Sequence, residues 1–443
     1  MKTFKLGGVH PEEKKITANK SIEYLPIPSR VHIPLAQSLG APSKLLVEKG
    51  QIVKTGQLLA RGEAFISSNV HSSVSGKVVK IEDITDSSGY RKPAITIDVE
   101  GDEWIETIDR TSKIDSDIKL SREQIIERIK ELGIVGLGGA TFPTHIKLVV
   151  PSGKKAETLI INGVECEPYL TADHRVMLER SEEIVIGIRI LMIALNVNKS
   201  FIGIENNKPD AIELLTKYTD KDKHINVVPL KVKYPQGGEK QLIKAITGKE
   251  VPSGKLPIET GCIVINVGTA LAIYEAIQKN KPLFERVVTV SGESLVNPGN
   301  YLVRIGTTVN YLIEKAGGLP TDTGKIINGG PMMGKSLTSL DVPVVKGTSG
   351  ILIFPQQKSH RVSMHNCIRC SRCITVCPLG LEPVSLVQYS SNELYDKAEK
   401  AHIMDCMECG SCQYTCPSGR PLLDFIRLGK HKVGTIIRNR IKN

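Results

Sequence analysis

The sequence predicts a multidomain α/β protein, and three features of the chain indicate this fold class. At 443 residues the chain is long enough for about three domains, each with its own core. Short alternating apolar runs separated by glycine fill residues 29–99, a pattern typical of a small all-β module. Helical and extended patterns follow in the middle of the chain, and cysteines are concentrated near its C-terminus.

The β module is the first predicted element. Its segments VEKGQIVKTGQLL and VSGKVVKI resemble those of biotinyl/lipoyl-type barrel-sandwich domains. Such domains expose a modifiable lysine on a hairpin between their two halves, yet residues 64–73 contain no lysine. We therefore expect a scaffold and not a swinging arm, and we assign residues 1–115 to this module with an N-terminal arm.

A helix is predicted to begin after Ser121, which is a good N-cap and is followed by Glu123 in the first turn. One apolar face of this helix is formed by Ile125, Ile126, Ile129 and Leu132. The helix leads into the loop GLGGATFPT, and a strand is predicted from Thr158.

The glycines of this loop allow two interpretations. Gly136, Gly138 and Gly139 let the backbone pass close to a phosphate or a flat ring, and Pro143 suits the start of a following helix whose positive end favours an anion. A tight turn without a ligand is the alternative. The loop also lacks the preceding strand of a Rossmann fingerprint.

The same cysteine phrase occurs twice near the C-terminus. Each copy reads C-x-x-C-x-x-C-x-x-x-C-P, the run that binds 4Fe–4S clusters in bacterial two-cluster ferredoxins, where the fourth cysteine binds the other cluster. On this rule the ligand sets are Cys367, Cys370, Cys373 and Cys416 for one cluster, and Cys406, Cys409, Cys412 and Cys377 for the second. Zinc sites usually have two separated pairs of ligands, and disulfide frameworks suit small secreted domains. We expect an electron-transfer protein.

The remaining cysteines and the apolar runs indicate the compartment. Cys166 and Cys262 are isolated and expected to be small buried residues. With eight of ten cysteines assigned to metal and no signal peptide, a reducing cytoplasmic location is expected. The apolar run from Ile184 to Val197 is too short for a membrane span and contains Arg189, so it predicts a core helix. Any attachment to a membrane would be peripheral.

The formal net charge of +11 is partly local. No acidic residue follows Asp424, and the basic C-terminal tail, residues 431–443, would face an acidic protein, an anionic membrane or only solvent. Arg369 and Arg372 lie between cluster cysteines, where they would raise the potential of a cluster or dock an acidic partner. Nucleic acid is not an expected partner, because aromatic residues make up only 4% and no reader motif is present.

Four segments, in order, resemble the NADH-binding flavoprotein subunit of respiratory complex I. They are GLGGATFPTHIK (136–147), NGVECEP (162–168), YPQGGEKQL (234–242) and INVGT (265–269). The positions that match the family's FMN and NADH site are Gly136, Gly138, Gly139, Phe142, Lys147, Asn162, Glu165, Glu167, Glu239, Asn266 and Thr269. The resemblance implies that the glycine loop, the asparagines and the threonine hold FMN. It also implies that the glutamates and Phe142 face the dinucleotide.

This chain departs from that family at three positions. Leu137 stands in place of an arginine, Val164 in place of an aspartate and Gly268 in place of a glutamate, so the contacts of those residues are not carried over. The resemblance assigns residues 116–282 to an α/β domain that binds FMN and NADH.

The segment after Lys281 resembles the β-grasp ligand-binding module that accompanies this flavoprotein fold, and we assign it residues 283–350. Within this range, the resembling segment at residues 286–319 is followed by NGGPMMG (328–334), whose glycines are either turn residues or a second contact with the flavin site. Residues 351–430 are predicted to form a mainly helical domain with two 4Fe–4S clusters, because the linker from Leu379 to Asp405 has a helical pattern.

The order of these segments resembles the C subunits of Rnf electron-transport complexes, which are membrane ferredoxin:NAD oxidoreductases that pump sodium ions or protons. The resemblance implies a peripheral subunit at the cytoplasmic face of the membrane. Its implied partners are the other subunits, NADH, and ferredoxin directly or through another subunit. FMN is expected between NAD(H) and the clusters, because NADH gives up two electrons as a hydride and a cluster accepts one.

Two alternatives remain at this point. A soluble flavin and iron–sulfur cobalamin reductase of bacterial microcompartments has the same set of domains. The second is a redox-inert scaffold whose flavin pocket has degenerated at Leu137, Val164 and Gly268. No catalytic acid–base pair or nucleophile is predicted.

Overall fold

The computed structural model describes residues 1–442, with side chains described as far as residue 440. The described chain contains helices and four β-sheets, which agrees with a multidomain α/β protein. The first eight strands are β1 (Ile22–Tyr24), β2 (Arg30–Pro34), β3 (Lys44–Leu45), β4 (Ile52–Val53), β5 (Leu58–Arg61), β6 (Val70–His71), β7 (Gly76–Thr85) and β8 (Arg91–Val99).

Strands β2–β8 form the all-β module predicted for residues 29–99. One antiparallel sheet has the order β2-β8-β7-β4, and a smaller one has the order β3-β5-β6. Apolar side chains from both sheets meet in one core, where fully buried residues include Val31, Ile33, Leu59, Val78 and Ile97.

The N-terminal arm is bound to other parts of the chain, which the sequence did not predict. Strand β1 pairs in parallel with a strand at residues 299–304, far along the chain. The Gly8 N–H donates to the Val376 carbonyl oxygen at 2.8 Å, and the Val9 N–H donates to the Tyr234 carbonyl oxygen at 2.8 Å. The arm therefore joins the middle of the chain to the cysteine-rich region.

A four-stranded parallel sheet lies at the centre of the predicted FMN domain, with the order β11-β10-β9-β12. Its elements are α1 (Arg122–Glu131), α2 (Thr144–Leu148), β9 (Thr158–Asn162), α3 (Ala172–Glu179), α4 (Ser181–Leu195), β10 (Ser200–Glu205), α5 (Pro209–Thr219), β11 (Ile225–Leu230), α6 (Glu239–Thr247), β12 (Cys262–Asn266) and α7 (Val267–Lys279). The predicted cap is confirmed: Ser121 and Gln124 form a capping box at the start of α1. The predicted core helix is also confirmed as α4, most of whose residues are buried.

A six-stranded mixed sheet follows, with the order β1-β14-β13-β17-β15-β16. Its later elements are β13 (Glu285–Ser291), β14 (Gly299–Arg304), α8 (Val309–Lys315), β15 (Thr323–Asn328), β16 (Lys335–Ser336) and β17 (Gly350–Pro355). Strand β17 pairs with β13 and β15, so it belongs to this sheet and not to the cluster domain that the sequence assigned from residue 351.

The C-terminal region is helical, as predicted. Its helices are α9 (Arg372–Thr375), α10 (Pro383–Ser391), α11 (Tyr395–Lys400), α12 (Ser411–Tyr414) and α13 (Leu422–Lys442). The predicted basic tail forms the second half of α13, and Asn443, its last residue, lies outside the described residues. Arg440 pairs with Glu399 at 2.8 Å, and Lys430 with Glu408 at 3.0 Å, so neighbouring carboxylates neutralise part of the charge of α13.

Gly187→Ala is expected to destabilise the α/β domain. A Cβ atom at this position of α4 would collide with the Ala270 carbonyl oxygen of α7, because the two helices cross in close contact there. We expect a loss of about 1–3 kcal/mol in the free energy of unfolding, seen as a lower thermal midpoint in circular dichroism. Gly434→Ala in α13 is the matched control, since its Cβ would come no nearer than 3.6 Å to another atom, and alanine should stabilise that helix by up to about 1 kcal/mol. Equal midpoints for the two variants would contradict this account.

Candidate functional site

Two asparagines stand side by side at the carboxyl ends of the central strands. Asn162 ends β9 and Asn266 ends β12, and the parallel register pairs them directly. The Asn266 side-chain oxygen accepts from the N–H groups of Gly268 at 2.9 Å and Thr269 at 3.3 Å, which caps α7. The Asn162 side-chain amide donates to the Gly237 carbonyl oxygen at 2.9 Å. Ligands bind at this edge in open α/β sheets.

The glycine loop, residues 136–139, packs over this edge. The Leu137 N–H donates to Thr269 Oγ1 at 2.8 Å. A Cβ atom on Gly138 would lie 3.4 Å from the Asn266 Cβ, and one on Gly136 would lie 3.7 Å from the Phe142 carbonyl oxygen, both ordinary contacts. Only Gly139, with φ +102°, has a backbone conformation that favours glycine.

Among the neighbours that the structure describes, no atom therefore requires glycine at positions 136 and 138. Because glycine has no side chain, the backbone at these positions can be approached closely by a flat ring or a phosphate. This geometry fits FMN. The residues that would hold it are the glycine loop with Asn162, Asn266 and Thr269.

The two glutamates of the segment NGVECEP are held by backbone donors. The Glu165 carboxylate accepts from the N–H groups of Asp173 at 2.8 Å and His174 at 3.1 Å, at the start of α3. The Glu167 carboxylate accepts from the N–H groups of Met332 at 3.0 Å and Met333 at 2.9 Å. Burial raises the pKa of Glu167 to about 7. We call the carboxyl ends of the central strands, with the loops that follow them, the flavin-domain edge. Glu167 thus attaches the loop NGGPMMG to this edge.

Lys147 and Glu239 form a separate pair. Lys147 Nζ lies 2.6 Å from Glu239 Oε1, and about a third of each side chain is exposed. Glu239 is the first residue of α6. Phe142 is half-buried, and its carbonyl oxygen accepts from the Gly136 N–H at 2.9 Å, which closes the glycine loop.

Two lysines that the sequence did not predict hold the loop at residues 164–170: Lys15, which is half-buried, and Lys208, which is buried. Lys15 Nζ, from the N-terminal arm, donates to the carbonyl oxygens of Glu165 at 2.8 Å, Glu167 at 2.9 Å and Leu170 at 2.7 Å. Lys208 Nζ donates to the Val164 carbonyl oxygen at 2.8 Å. Burial lowers the pKa of Lys15 to about 8. Lys15 lies in the run EEKKITANK, whose pattern is that of a solvated segment, so no local signal distinguished it.

A half-buried acid, Asp173, also lies at the site, where the sequence departs from the complex I pattern. The Asn266 side-chain amide donates to Asp173 at 2.7 Å, and burial raises the pKa of Asp173 to about 7. Asp173, Leu137, Gly268 and Arg286 line one cavity between the central domain and the six-stranded sheet. The departures at 137 and 268 therefore lie beside this cavity.

The two cysteine phrases fold alike. In the first, Arg369 and Ser371 have positive φ angles of 54° and 60°. In the second, Glu408 and Gly410 have positive φ angles of 59° and 76°. A four-residue helix, α9 or α12, follows in each copy. The repeat in the sequence is therefore a repeat in backbone conformation.

The second predicted ligand set shares one buried cavity. Cys406, Cys409 and Cys412 line it together with Cys377 of the first phrase. The Leu381 N–H donates to Cys377 Sγ at 3.3 Å, and the Glu408 N–H donates to Cys406 Sγ at 3.4 Å. Burial raises the pKa of Cys406 and Cys412, so their thiolates need the positive charge of bound iron. The grouping crosses between the phrases and fits a 4Fe–4S cluster.

The first predicted set lies at the surface. Cys367 and Cys370 are exposed, and Cys373 and Cys416 are half-buried. The His365 N–H donates to the Ser418 carbonyl oxygen at 2.9 Å, which holds the segment before Cys367 beside the turn after Cys416. Within the described residues, no three Cys, His, Asp or Glu side chains converge on one metal ion. A 4Fe–4S cluster does not require this, because each of its cysteines binds a different iron.

The buried cysteine set contacts the flavin domain directly. The Tyr234 hydroxyl donates to the Cys409 carbonyl oxygen at 2.8 Å. The Gln241 side-chain amide donates to the Pro378 carbonyl oxygen at 3.2 Å. Tyr234 also lies next to Glu167. Side chains of the flavin domain thus reach the backbone of both loops that carry this cysteine set, at Cys409 in the second phrase and at Pro378 in the first.

As far as residue 442, no helix of the chain combines the length and the apolar character that crossing a membrane requires.

Family models match four consecutive parts of the chain. They are described as the RnfC barrel sandwich hybrid domain (residues 2–102), the Nuo51 FMN-binding domain (129–275), the SLBB domain (287–336) and the 4Fe-4S dicluster domain (360–417). The predicted order of β module, flavin domain and two-cluster domain is confirmed.

Curated relatives match nearly the whole chain. The C subunit of the proton-translocating ferredoxin:NAD(+) oxidoreductase complex of Clostridium ljungdahlii is 48% identical, over 91% of this chain and 87% of that protein. The C subunit of the Na(+)-translocating ferredoxin:NAD(+) oxidoreductase complex of Acetobacterium woodii is 44% identical, over 97% of both chains. A crystal structure of a NAD+-reducing NiFe-hydrogenase in the H2-reduced state aligns with a TM-score of 0.48 and 16% identity, over 70% of this chain and 61% of that one, a likeness too slight for any argument.

Proposed function

Because this chain belongs to the family of the C subunits of ion-translocating ferredoxin:NAD(+) oxidoreductase complexes, we propose that it transfers electrons between NAD(H), FMN and two 4Fe–4S clusters within such a complex. The observation that carries this function is the direct contact between the flavin-domain edge and one cysteine set through Tyr234. The relatives favour this function over the microcompartment cobalamin reductase.

FMN, when bound, would supply the exchange between the two-electron hydride chemistry of NADH and the one-electron chemistry of the clusters. The residues of this chain position it. The glycine loop offers bare backbone, Asn162 and Asn266 fix the ends of β9 and β12, and Lys15 and Lys208 hold the adjacent loop. Lys147 and Glu239, which are partly exposed, are proposed to contact NADH.

The two cysteine sets are proposed to act in sequence. Cys377, Cys406, Cys409 and Cys412 form the inner set, because Tyr234 and Gln241 connect the two loops that carry them to the flavin domain. Cys367, Cys370, Cys373 and Cys416 form the outer set, because the first two are exposed. Electrons from NADH would therefore reach the inner set first and leave through the outer set.

The chain is proposed to lie at the cytoplasmic face of the cell membrane, held there by the other subunits. NADH is a cytoplasmic substrate, and attachment through protein contacts needs no membrane-spanning helix in this chain. Ferredoxin would exchange electrons with it directly or through another subunit. The complexes of the two relatives are named for different ions, protons in one and Na(+) in the other.

Anaerobic addition of NADH tests this function. In purified protein loaded with FMN, iron and sulfide, NADH should reduce both clusters, measured as bleaching of the cluster absorbance and as electron paramagnetic resonance signals. The same protein stripped of FMN is the control, and its clusters should stay oxidised. Rapid oxidation of NADH by an artificial acceptor, with clusters that remain oxidised, would contradict the proposed route.

A further inference from the structure

An exposed segment surrounds the outer cysteine set. We call residues 360–372 the outer-cluster surface. Val362, Met364 and Ile368 in this segment are 74%, 64% and 67% exposed. Single exposed apolar residues are common on proteins, but three within seven residues concentrate apolar surface on one segment, as interaction sites do.

The charged side chains of this surface are all arginines, at positions 361, 369 and 372. Residues 342–381 contain no aspartate or glutamate. Arg361 pairs with Asp424 at 2.8 Å, whereas Arg369 and Arg372 form no ion pair with any carboxylate of residues 1–440. The surface therefore combines apolar side chains with arginines whose charge is available to a partner.

The position of the surface indicates what binds there. The segment runs along the turn after Cys416, since a Cβ atom on Gly419 would lie 2.7 Å from the Ser363 carbonyl oxygen. The patch thus lies around the cysteines of the outer set. An anionic lipid surface would also attract arginines and apolar residues, but lipid cannot accept an electron. Exposed cluster ligands within the patch favour a redox protein.

We propose that the outer-cluster surface is the docking site of an acidic iron–sulfur protein that exchanges single electrons with the outer set. This inference rests on the proposed function, and it names the class of protein that exchanges electrons with the outer set. One electron leaves the reduced partner and enters the cysteine-bound centre, or moves in the opposite direction, with no bond made or broken and no proton required. Charge complementarity would speed the encounter, and the apolar side chains would pack in the contact.

The test uses Val362→Asp with Met364→Asp in one chain. Both residues precede the cysteine phrase, and the new carboxylates would repel an acidic partner. The matched control is Val296→Asp with Leu319→Asp, two residues of the β-grasp region that are 72% and 47% exposed. The probe is a reduced acidic two-cluster ferredoxin, mixed anaerobically with each FMN- and iron-loaded chain in a stopped-flow instrument.

We expect the second-order rate constant to fall at least about tenfold in the docking variant and to stay unchanged in the control. The wild-type rate should fall steeply with added salt. Both variants should keep full iron content and the wild-type rate of cluster reduction by NADH. Equal ferredoxin rates in the docking variant and the control would overturn the proposal.

Two further outcomes distinguish the alternatives. If phosphatidylglycerol vesicles bind the wild type but not the docking variant, while ferredoxin rates are equal, the surface is a membrane contact and the proposal is wrong. If NADH fails to reduce the wild-type clusters, the proposed function fails, yet the ferredoxin reaction still measures the docking site by itself.

Discussion

Replacing Gly138 by valine is expected to abolish FMN binding while both iron–sulfur clusters remain. A Cβ atom at this position makes an ordinary contact with Asn266, so the chain itself can accommodate a small side chain. The branched group of valine would instead occupy the space above the loop that the flavin needs. We expect at least about a hundredfold loss of affinity, which corresponds to about 2.7 kcal/mol.

Flavin content after gel filtration and fluorescence titration with FMN measure this effect. Gly138→Ala is the graded control, because its Cβ fits against Asn266 at 3.4 Å and it should retain part of the affinity. The thermal midpoint of the flavin-free valine variant should match that of the flavin-free wild type, which separates ligand loss from misfolding. Normal FMN occupancy in Gly138→Val would place the flavin elsewhere.

The flavin-domain edge was largely predictable because its determinants are local. Ser121 caps α1 through atoms three residues away, and the strand ends at Asn162 and Asn266 follow from short apolar runs with parallel pairing. Sequence periodicity records such short-range constraints directly.

The supporting residues were not predictable, because their roles depend on contacts between distant segments. Lys15 reaches carbonyl oxygens 150 residues away, and β1 joins a strand nearly 280 residues later. Glu167 was expected to face the dinucleotide, and both oxygens of its carboxylate accept N–H groups of the loop at Met332 and Met333. Its role toward NADH stays a prediction. A lysine or a glutamate in a polar run has the same pattern whether it is solvated or buried.

Replacing Cys377 by alanine is expected to damage the cluster built on the second cysteine phrase. Replacing Cys416 by alanine is expected to damage the cluster built on the first phrase. Cys377 follows the first phrase but lies in the cavity with Cys406, Cys409 and Cys412. Cys416 ends the second phrase, and the following turn is bonded to the segment before Cys367. Each substitution should remove the cysteine ligand of one iron, so the electron paramagnetic resonance signal of one of the two clusters should disappear.

The kinetic consequences differ because hydrogen bonds from the flavin domain reach the loops of the inner set. In Cys377→Ala the inner cluster is damaged, so reduction of the remaining cluster by NADH should slow by at least about a hundredfold, which corresponds to about 2.7 kcal/mol of activation free energy. In Cys416→Ala, NADH should still reduce the inner cluster at the wild-type rate, while electron exchange with reduced ferredoxin is lost. Cys262→Ala, a buried lone cysteine in β12, is the control and should keep both clusters. The reverse assignment, with rapid reduction by NADH in Cys377→Ala and slow reduction in Cys416→Ala, would show that the flavin-proximal cluster is the one at Cys367, Cys370 and Cys373.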